Sequence, residues 1–238
     1  AIVHVLRCFL DDNVTHVEGT INPVHDAETV ETELMLADLE SLETRIVSLE
    51  KKVRGNNKDA KHEIRLVEGV LALLKQGKPA RNYNVGKDDE KTFRMLQLLS
   101  AKPVLYVCNV EEAAAVYGNS LSKEVSEFAI KQEAEVIVIS ARIEEEVANL
   151  SDNGEKKDYL ETMGLNETGL ARVIQSGYGL LDLITFFTAG PKESRAWTVY
   201  RGVKAPQAAG VIHTDFERGF IKAETISFDD FVICNGEQ

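Results

Sequence analysis

The sequence predicts an α/β fold: a partial parallel sheet, an antiparallel helical coiled-coil arm inserted into it, and a small α+β domain after it. Two short apolar runs, Pro103–Cys108 and Glu135–Ile139, have the length and composition of strands buried on both faces of a parallel sheet. Apolar residues at alternating steps of three and four predict the arm. From about residue 181 short strand-like runs dominate, and they predict a separate C-terminal domain.

The first nine residues, Ala1–Phe9, already have the pattern of a strand. This strand begins without Met and without a preceding turn, so we expect further chain upstream of Ala1. His4 within the run is expected to have a structural role. A polar loop follows and leads to Asn22.

A long helix is predicted next, with Asp26 as its N-cap and acidic residues in its first turns. Its apolar residues recur at alternating steps of four and three: Met35, Leu39, Leu42, Ile46, Leu49 and Val53. After a turn at Gly55–Asn57 the same spacing returns in Ile64, Val67, Leu71 and Leu74. The two seams predict an antiparallel helical hairpin that projects from the sheet.

The turn end of this hairpin is basic. Residues 45–65 contain seven basic and three acidic side chains, a local charge of 7 − 3 = +4 in a chain of formal charge −12. Four of the basic residues lie next to the turn: Lys51, Lys52, Arg54 and Lys58. Basic residues on a protruding tip neutralise phosphates and favour binding to RNA. The same charges are typical of a solvated coiled-coil face, and the sequence leaves both interpretations open.

Polar residues follow both apolar strands at their carboxyl ends. Asn109–Glu112 comes after the first strand and Ser140–Arg142 after the second. Ligands of open α/β sheets bind at these ends, where loops and helix amino termini present unpaired donors. An Asn at a strand end is by itself also a common turn former or helix cap. In order, spacing and strand context, N-x-x-acid followed by S-A-x resembles the fourth and fifth guanine-nucleotide motifs of the P-loop GTPases.

The rest of the chain predicts shorter elements. Helices are expected at Asp88–Ser100, from an N-cap at Ser120 or Ser122 to about Gln132, at Ile143–Leu150, Asp158–Met163 and Thr168–Ser176, with a break at Gly177–Gly179. The acidic run Glu144–Glu146 is expected to favour the amino terminus of the helix over Ile143–Leu150. Strands are expected at Ala196–Arg201, Lys204–Ala209, Gly210–Asp215, Gly219–Glu224 and Ile226–Val232. The segment with these strands resembles a small ubiquitin-like interaction module, incomplete at its C-terminal end.

Composition excludes several classes of function. The formal charge of −12 argues against indiscriminate binding to nucleic acid, and we expect no sequence-specific binding to DNA. No run of about 18 apolar residues occurs, so we expect no membrane partner. Three widely spaced cysteines are typical of reduced thiols in a cytosol. The five histidines form no cluster with ligand spacing, so we expect no metal site built from these side chains alone.

Five stretches together carry a resemblance to a known family: AIVHVLRCF, INPVHDAETVETELMLADLESLETRI, KPVLYVCNVEE, VIVISARIEEEVANL and the segment from Ser194 to Val232. In these stretches the chain resembles the YchF (Obg-like ATPase) branch of the translation-factor P-loop GTPases, over essentially its full length. The resemblance implies a partial P-loop NTPase sheet (the G domain) over 1–26 and 88–180, a coiled-coil arm over 27–87 and a TGS domain over 181–238.

The resemblance also implies a function. It implies hydrolysis of ATP in preference to GTP, with magnesium, in the cytoplasm, and association with the ribosome, through its large subunit or RNA; we expect a monomer. The family's N-x-x-E, where GTPases have N-K-x-D, corresponds to Asn109 and Glu112. The backbone of Val110 is implied to contact the adenine edge, and Ser140 and Ala141 match the motif that packs beside the base.

One departure from the family is plain: the chain contains no phosphate-binding loop. Gly77–Lys78 lacks the earlier glycine and the following hydroxyl that this loop requires. We therefore expect the phosphate loop, the magnesium ligands and the catalytic residues upstream of Ala1, and expect these 238 residues alone to hydrolyse nothing measurable. Two alternatives stay open: a conventional GTPase, disfavoured by Val110 where Lys should stand, and a non-enzymatic RNA- or ribosome-binding module.

Overall fold

The computed structural model describes residues 1–11, 21–190 and 192–236, so most of the predicted polar loop before Asn22 lies outside the described residues. The chain forms two compact units, Ala1–Leu180 and Leu181–Gln238. Across the described ranges, every helix is too short or too polar to cross a membrane.

The first unit is built on a three-stranded parallel sheet with the strand order β1-β2-β3. These strands are β1 (Ile2–Arg7), β2 (Val104–Asn109) and β3 (Glu135–Ile139). Arg7 lies opposite Asn109, and Asn109 lies opposite Ile139, so the three strands end together at one edge of the sheet. β2 is buried along nearly its whole length, as its unbroken apolar run predicts.

Helices pack on both faces of this sheet, and two helices extend into a separate hairpin. The helices in the described part of the first unit are α1 (Pro23–Arg54), α2 (Lys58–Leu74), α3 (Glu90–Met95), α4 (Ser120–Lys131), α5 (Ala141–Asn149), α6 (Asn153–Thr162) and α7 (Gly169–Leu180). The start of α1 and the inner side of α4 cover one face, where Ala27 and Val125 join the core of the sheet. α7 packs on the other face, against Ile139.

The N-cap of the long helix α1 is Asn22, so the prediction of Asp26 as its N-cap was wrong. The side-chain oxygen of Asn22 accepts a hydrogen bond from the N–H of His25 at 3.1 Å. Pro23 takes the first helical position, where its missing N–H leaves no bond unmade and its fixed φ suits the helix. Asp26 lies one turn inside, where its charge favours the helix dipole.

α1 and α2 pack as a hairpin around one hydrophobic cluster. The cluster contains every residue of the two seams identified in the sequence, with Leu42 and Leu49 buried on α1 and Val67, Leu71 and Leu74 buried on α2. Leu96 and Leu98, on the return to the sheet, complete it. Because Ala27 belongs to the core of the sheet and Leu42 to this cluster, α1 runs without interruption through two hydrophobic cores.

One buried carboxylate fixes the point where the chain returns from the hairpin to the sheet. Asp38 on α1 is 3% exposed and accepts hydrogen bonds from the N–H groups of Leu99 and Ser100, both at 2.7 Å. It also accepts from the hydroxyl of Ser100 at 2.6 Å, and that hydroxyl accepts from the N–H of Ala80 at 3.0 Å. The buried charge is tolerated because three donors solvate it.

The second unit contains an antiparallel hairpin followed by short helices. Its elements in the described residues are β4 (Leu183–Ala189), β5 (Ser194–Tyr200), α8 (Ala205–Ile212), α9 (Thr214–Arg218) and α10 (Phe228–Ile233). The predicted strand over Ala196–Arg201 corresponds to β5.

The other strands predicted for this unit were wrong. Lys204–Ala209 and Gly210–Asp215 lie largely in α8 and α9, Ile226–Val232 overlaps α10, and Gly219–Glu224 has no regular structure. Helix-start signals explain the two helices α8 and α10. The Gln207 side chain accepts a hydrogen bond from the Lys204 N–H at 3.0 Å, and the Ser227 hydroxyl oxygen accepts one from the Asp230 N–H at 3.1 Å. The predicted break at Gly177–Gly179 was also wrong, since both glycines lie within α7.

Replacing Asp38 with Ala is expected to destabilise the first unit by about 3 kcal/mol, because buried donors at Leu99 and Ser100 lose their acceptor. Chemical denaturation followed by circular dichroism measures the loss, and hydrogen exchange of the segment 97–101 localises it. Glu40→Ala is the matched control, since Glu40 is an exposed carboxylate on the same helix. Equal losses in the two variants would contradict the anchoring role of Asp38.

Candidate functional site

The predicted residue Asn109 is the last residue of β2 and joins two of the strand-end loops. Its side-chain Oδ1 accepts a hydrogen bond from the N–H of Ala141, the first residue of α5, at 2.9 Å. The bond connects the end of β2 to the start of the helix that follows β3. The Nδ2 group of Asn109 donates no hydrogen bond within the described residues, so it is the donor that Asn109 can offer to a ligand.

Val110 turns inward from the same loop. Its side chain is 2% exposed within the core of the sheet, and its N–H donates to the carbonyl of Ile139 at 2.8 Å. The predicted backbone contact of Val110 with the base could use either its N–H or its carbonyl. Because the N–H is already donated within the protein, it is not available to the base. The carbonyl of Val110 is the backbone group that such a contact would have to use.

Ser140 and Glu112 are the other two predicted site residues. Ser140 is 4% exposed at the N-cap of α5, yet its hydroxyl makes no capping bond and, within the described part of the chain, has no partner at all. The Glu112 carboxylate pairs with Arg142, its Oε1 lying 2.9 Å from Nε. Together with Asn109 and Ala141, these contacts bring the loops after β2 and β3 together.

A residue that the sequence analysis missed, Asn119, connects the loops after β1 and β2. Its Nδ2 donates to the carbonyl of Cys8 at 2.6 Å and to Glu111 Oε2 at 3.0 Å. Asn119 is also the N-cap of α4, so the prediction of Ser120 or Ser122 as the cap was wrong. Ser122 instead completes a capping box, its hydroxyl accepting from the Asn119 N–H at 2.9 Å. Asn is a preferred N-cap residue, and Ser122, three positions later, can bond back to the N-cap backbone. This pattern was the signal in the sequence that could have identified Asn119 as the cap.

A second missed contact anchors α7 under the site. The Glu144 carboxylate accepts from the N–H groups of Gly169 at 2.6 Å and Leu170 at 3.1 Å, at the amino terminus of α7. The acidic run after Ser140 was expected to favour a helix amino terminus, and Glu144 serves the terminus of a different helix. A Cβ on Gly169 would lie 2.7 Å from the Ile139 side chain, so this close approach of α7 to β3 requires glycine.

Two thiols lie beneath the loops. Cys8 and Cys108 are free and fully buried, and they share a hydrogen bond that, together with burial, raises the pKa of the Cys8 thiol. Cys8 therefore stays neutral at physiological pH. In the described residues no three His, Cys, Asp or Glu side chains are arranged to hold a metal ion, so we assign no magnesium ligand among them.

The basic residues of the hairpin tip lie far from the strand ends. Lys51, Lys52 and Arg54 are exposed in the last turn of α1, and Lys58 is the first residue of α2. Ala27 marks the part of α1 that packs on the sheet. The 24 residues from Ala27 to Lys51 span roughly 36 Å of helix. The two predicted sites are thus separate surfaces of the same unit.

The chain is similar to several known proteins. It is 44% identical over 238 residues to the ribosome-binding ATPase YchF of Bacillus subtilis and 45% identical to that of Escherichia coli O157:H7, matches that cover 99% and 100% of this chain. The solved structure of the Schizosaccharomyces pombe YchF GTPase covers the whole chain at 32% identity with a TM-score of 0.84. The chain is a homologue of the YchF proteins over its whole length.

This YchF homologue spans 65% of the length of each of these three relatives. A family model named YchF-GTPase_C, described as a protein of unknown function, matches residues 183–238, which is the second unit without its first two residues. The resemblance to YchF and the α/β fold with a parallel sheet are thereby confirmed.

Removing the acceptor at Asn109 is expected to free the amino terminus of α5. In Asn109→Leu the Ala141 N–H loses a bond worth about 1 kcal/mol, so its hydrogen exchange should quicken roughly fivefold. Asn109→Asp keeps an acceptor oxygen at the same place and serves as the matched control. Amide exchange of residues 140–143 without nucleotide is the measurement. If the Leu and Asp variants exchange alike, the Asn109 side chain does not hold this loop.

Proposed function

We propose that this chain carries the base-binding part of an ATP-binding and ATP-hydrolysing P-loop NTPase of YchF type, a cytoplasmic monomer that associates with the ribosome. The observation that carries the proposal is the Asn109–Ala141 hydrogen bond, which joins the two loops that hold every predicted base-binding residue. In this assignment residues 1–26 and 88–180 belong to the nucleotide domain, 27–87 form the arm and 181–238 belong to a TGS domain.

Hydrogen-bonding chemistry supports a preference for ATP over GTP. Adenine presents an amino group at its six position, which needs an acceptor, whereas guanine presents a carbonyl there, which needs a donor. The Ala141 N–H and the Val110 N–H are both donated within the protein, so neither is free for a guanine carbonyl. The Val110 carbonyl offers the acceptor that adenine requires. The Nδ2 group of Asn109 serves N7, which both bases share.

The start of α5 forms one wall of the proposed site. The Ser140 hydroxyl is buried there, so its backbone and the neighbouring Ala141, rather than that hydroxyl, face the proposed purine. In the proposed complex the purine ring lies against the start of α5, and Ser140 and Ala141 form the wall beside it. Contacts to the phosphates and to magnesium dominate catalysis of phosphoryl transfer, and these are assigned to the part of the protein outside this sequence.

Competition between nucleotides tests the proposal on the full-length protein. ATP is expected to bind at least about tenfold more tightly than GTP, a difference of about 1.4 kcal/mol. Displacement of a fluorescent ATP analogue by each nucleotide gives both affinities. Tighter binding of GTP would make the protein a conventional GTPase, and binding of neither would leave a non-enzymatic RNA- or ribosome-binding module.

The basic tip of the hairpin is proposed as a surface for ribosomal RNA. Lys51, Lys52 and Arg54 are exposed there, whereas Arg45 pairs with Glu63 at 2.6 Å. Exposed cations gain most from neutralising phosphates because each contact releases condensed counterions. Both curated bacterial relatives are named ribosome-binding ATPases, which agrees with such a partner.

Charge reversal at the tip is expected to abolish co-sedimentation of the full-length protein with ribosomes. The variant changes Lys51, Lys52, Arg54 and Lys58 to Glu. A control variant makes the same change in charge at four exposed lysines outside the tip: Lys87, Lys91, Lys123 and Lys131. Pelleting through a sucrose cushion at several salt concentrations is the measurement. Unchanged pelleting of the tip variant, or equal loss in both variants, would contradict a contact through the tip.

A further inference from the structure

The carboxylate of Glu112 is held by an arginine that the proposed base contacts do not include. Arg142 directly follows Ala141, and its Nε lies 2.9 Å from Glu112 Oε1. This ion pair is a second link between the two loops, next to the Asn109–Ala141 bond. Glu112 therefore presents one side of an ion pair, rather than a free carboxylate, to anything bound between the loops.

Neighbouring groups hold Arg142 in this place. Glu146, one turn along α5, approaches the same Nε at 4.0 Å, and the hydroxyl of Tyr159 on α6 donates to Glu146. A cation in the first turn of a helix is unfavourable with respect to the helix dipole. The two carboxylates offset that cost and aim the guanidinium toward the loop after β2. Helix stability alone would not place an arginine here.

The pairing has a consequence for the choice of base. A free carboxylate at this edge accepts hydrogen bonds from the N1–H and the amino group of guanine, and it repels the lone pair on N1 of adenine. We propose that Arg142 is a specificity-determining positioning residue, which neutralises Glu112 and thereby strengthens discrimination against guanine nucleotides. This inference rests on the proposed function, because it assumes that a purine binds between these loops.

The test compares affinities of the full-length protein for ATP and GTP. In Arg142→Met the preference for ATP is expected to fall about fivefold, the scale of an exposed ion pair. Adding Glu112→Ala to that variant should restore the preference, because the released carboxylate is gone. Arg142→Lys, which keeps a cation, should retain most of it. Lys157→Met is the matched control, since it removes an exposed paired cation from α6 without touching the loops.

An unchanged preference in Arg142→Met, or a reduced preference that Glu112→Ala does not restore, would overturn the inference. If Arg142→Met binds neither nucleotide, the preference of the wild-type protein for ATP over GTP is measured at increasing salt concentration instead. Salt screens the exposed Glu112–Arg142 pair, so the preference for ATP should fall between about 0.05 and 1 M salt. A preference that stays constant over this range would refute the role of Arg142. A wild-type protein that binds no ATP, or prefers GTP, contradicts the proposed function itself.

Discussion

Two asparagine side chains hold together the edge where the three parallel strands end. Asn119 connects the ends of β1 and β2 through Cys8 and Glu111, and Asn109 connects the ends of β2 and β3 through Ala141. A carboxamide suits this task because it carries a donor and an acceptor on a short side chain. The position of every proposed base contact depends on these bonds, which act together with the Glu112–Arg142 ion pair and the Val110–Ile139 backbone bond.

The sheet and the hairpin could be predicted because each is encoded locally. The unbroken apolar run of β2 and the seam of α1 specify burial through spacing alone, and both are present in the structure. The partners of Asn109 and Asn119 could not be predicted, because Asn119 and Cys8 are 111 residues apart in sequence. The sequence indicated which loops meet, but it did not indicate which backbone groups their side chains occupy.

The second unit shows where local patterns mislead. Lys204–Ala209 was predicted as one of a series of short strands, yet Pro206 near its start and the following alanines favour a helix. Gly177 and Gly179 cost helix stability of about 1 kcal/mol each, and tertiary packing of α7 on β2 and β3 overrides that cost. In both cases the error came from weighing one propensity without its competitors.

The continuity of α1 through two hydrophobic cores makes the helix a lever. Its first turns are clamped on the sheet near Ala27, and Arg54 ends the same rod 27 residues later, roughly 40 Å away. A tilt of about 5° at the sheet would swing the far end by roughly 3.5 Å, about the width of one base-pair step in a nucleic acid. A small change in the angle of α1 at the sheet therefore produces a much larger displacement at the hairpin turn.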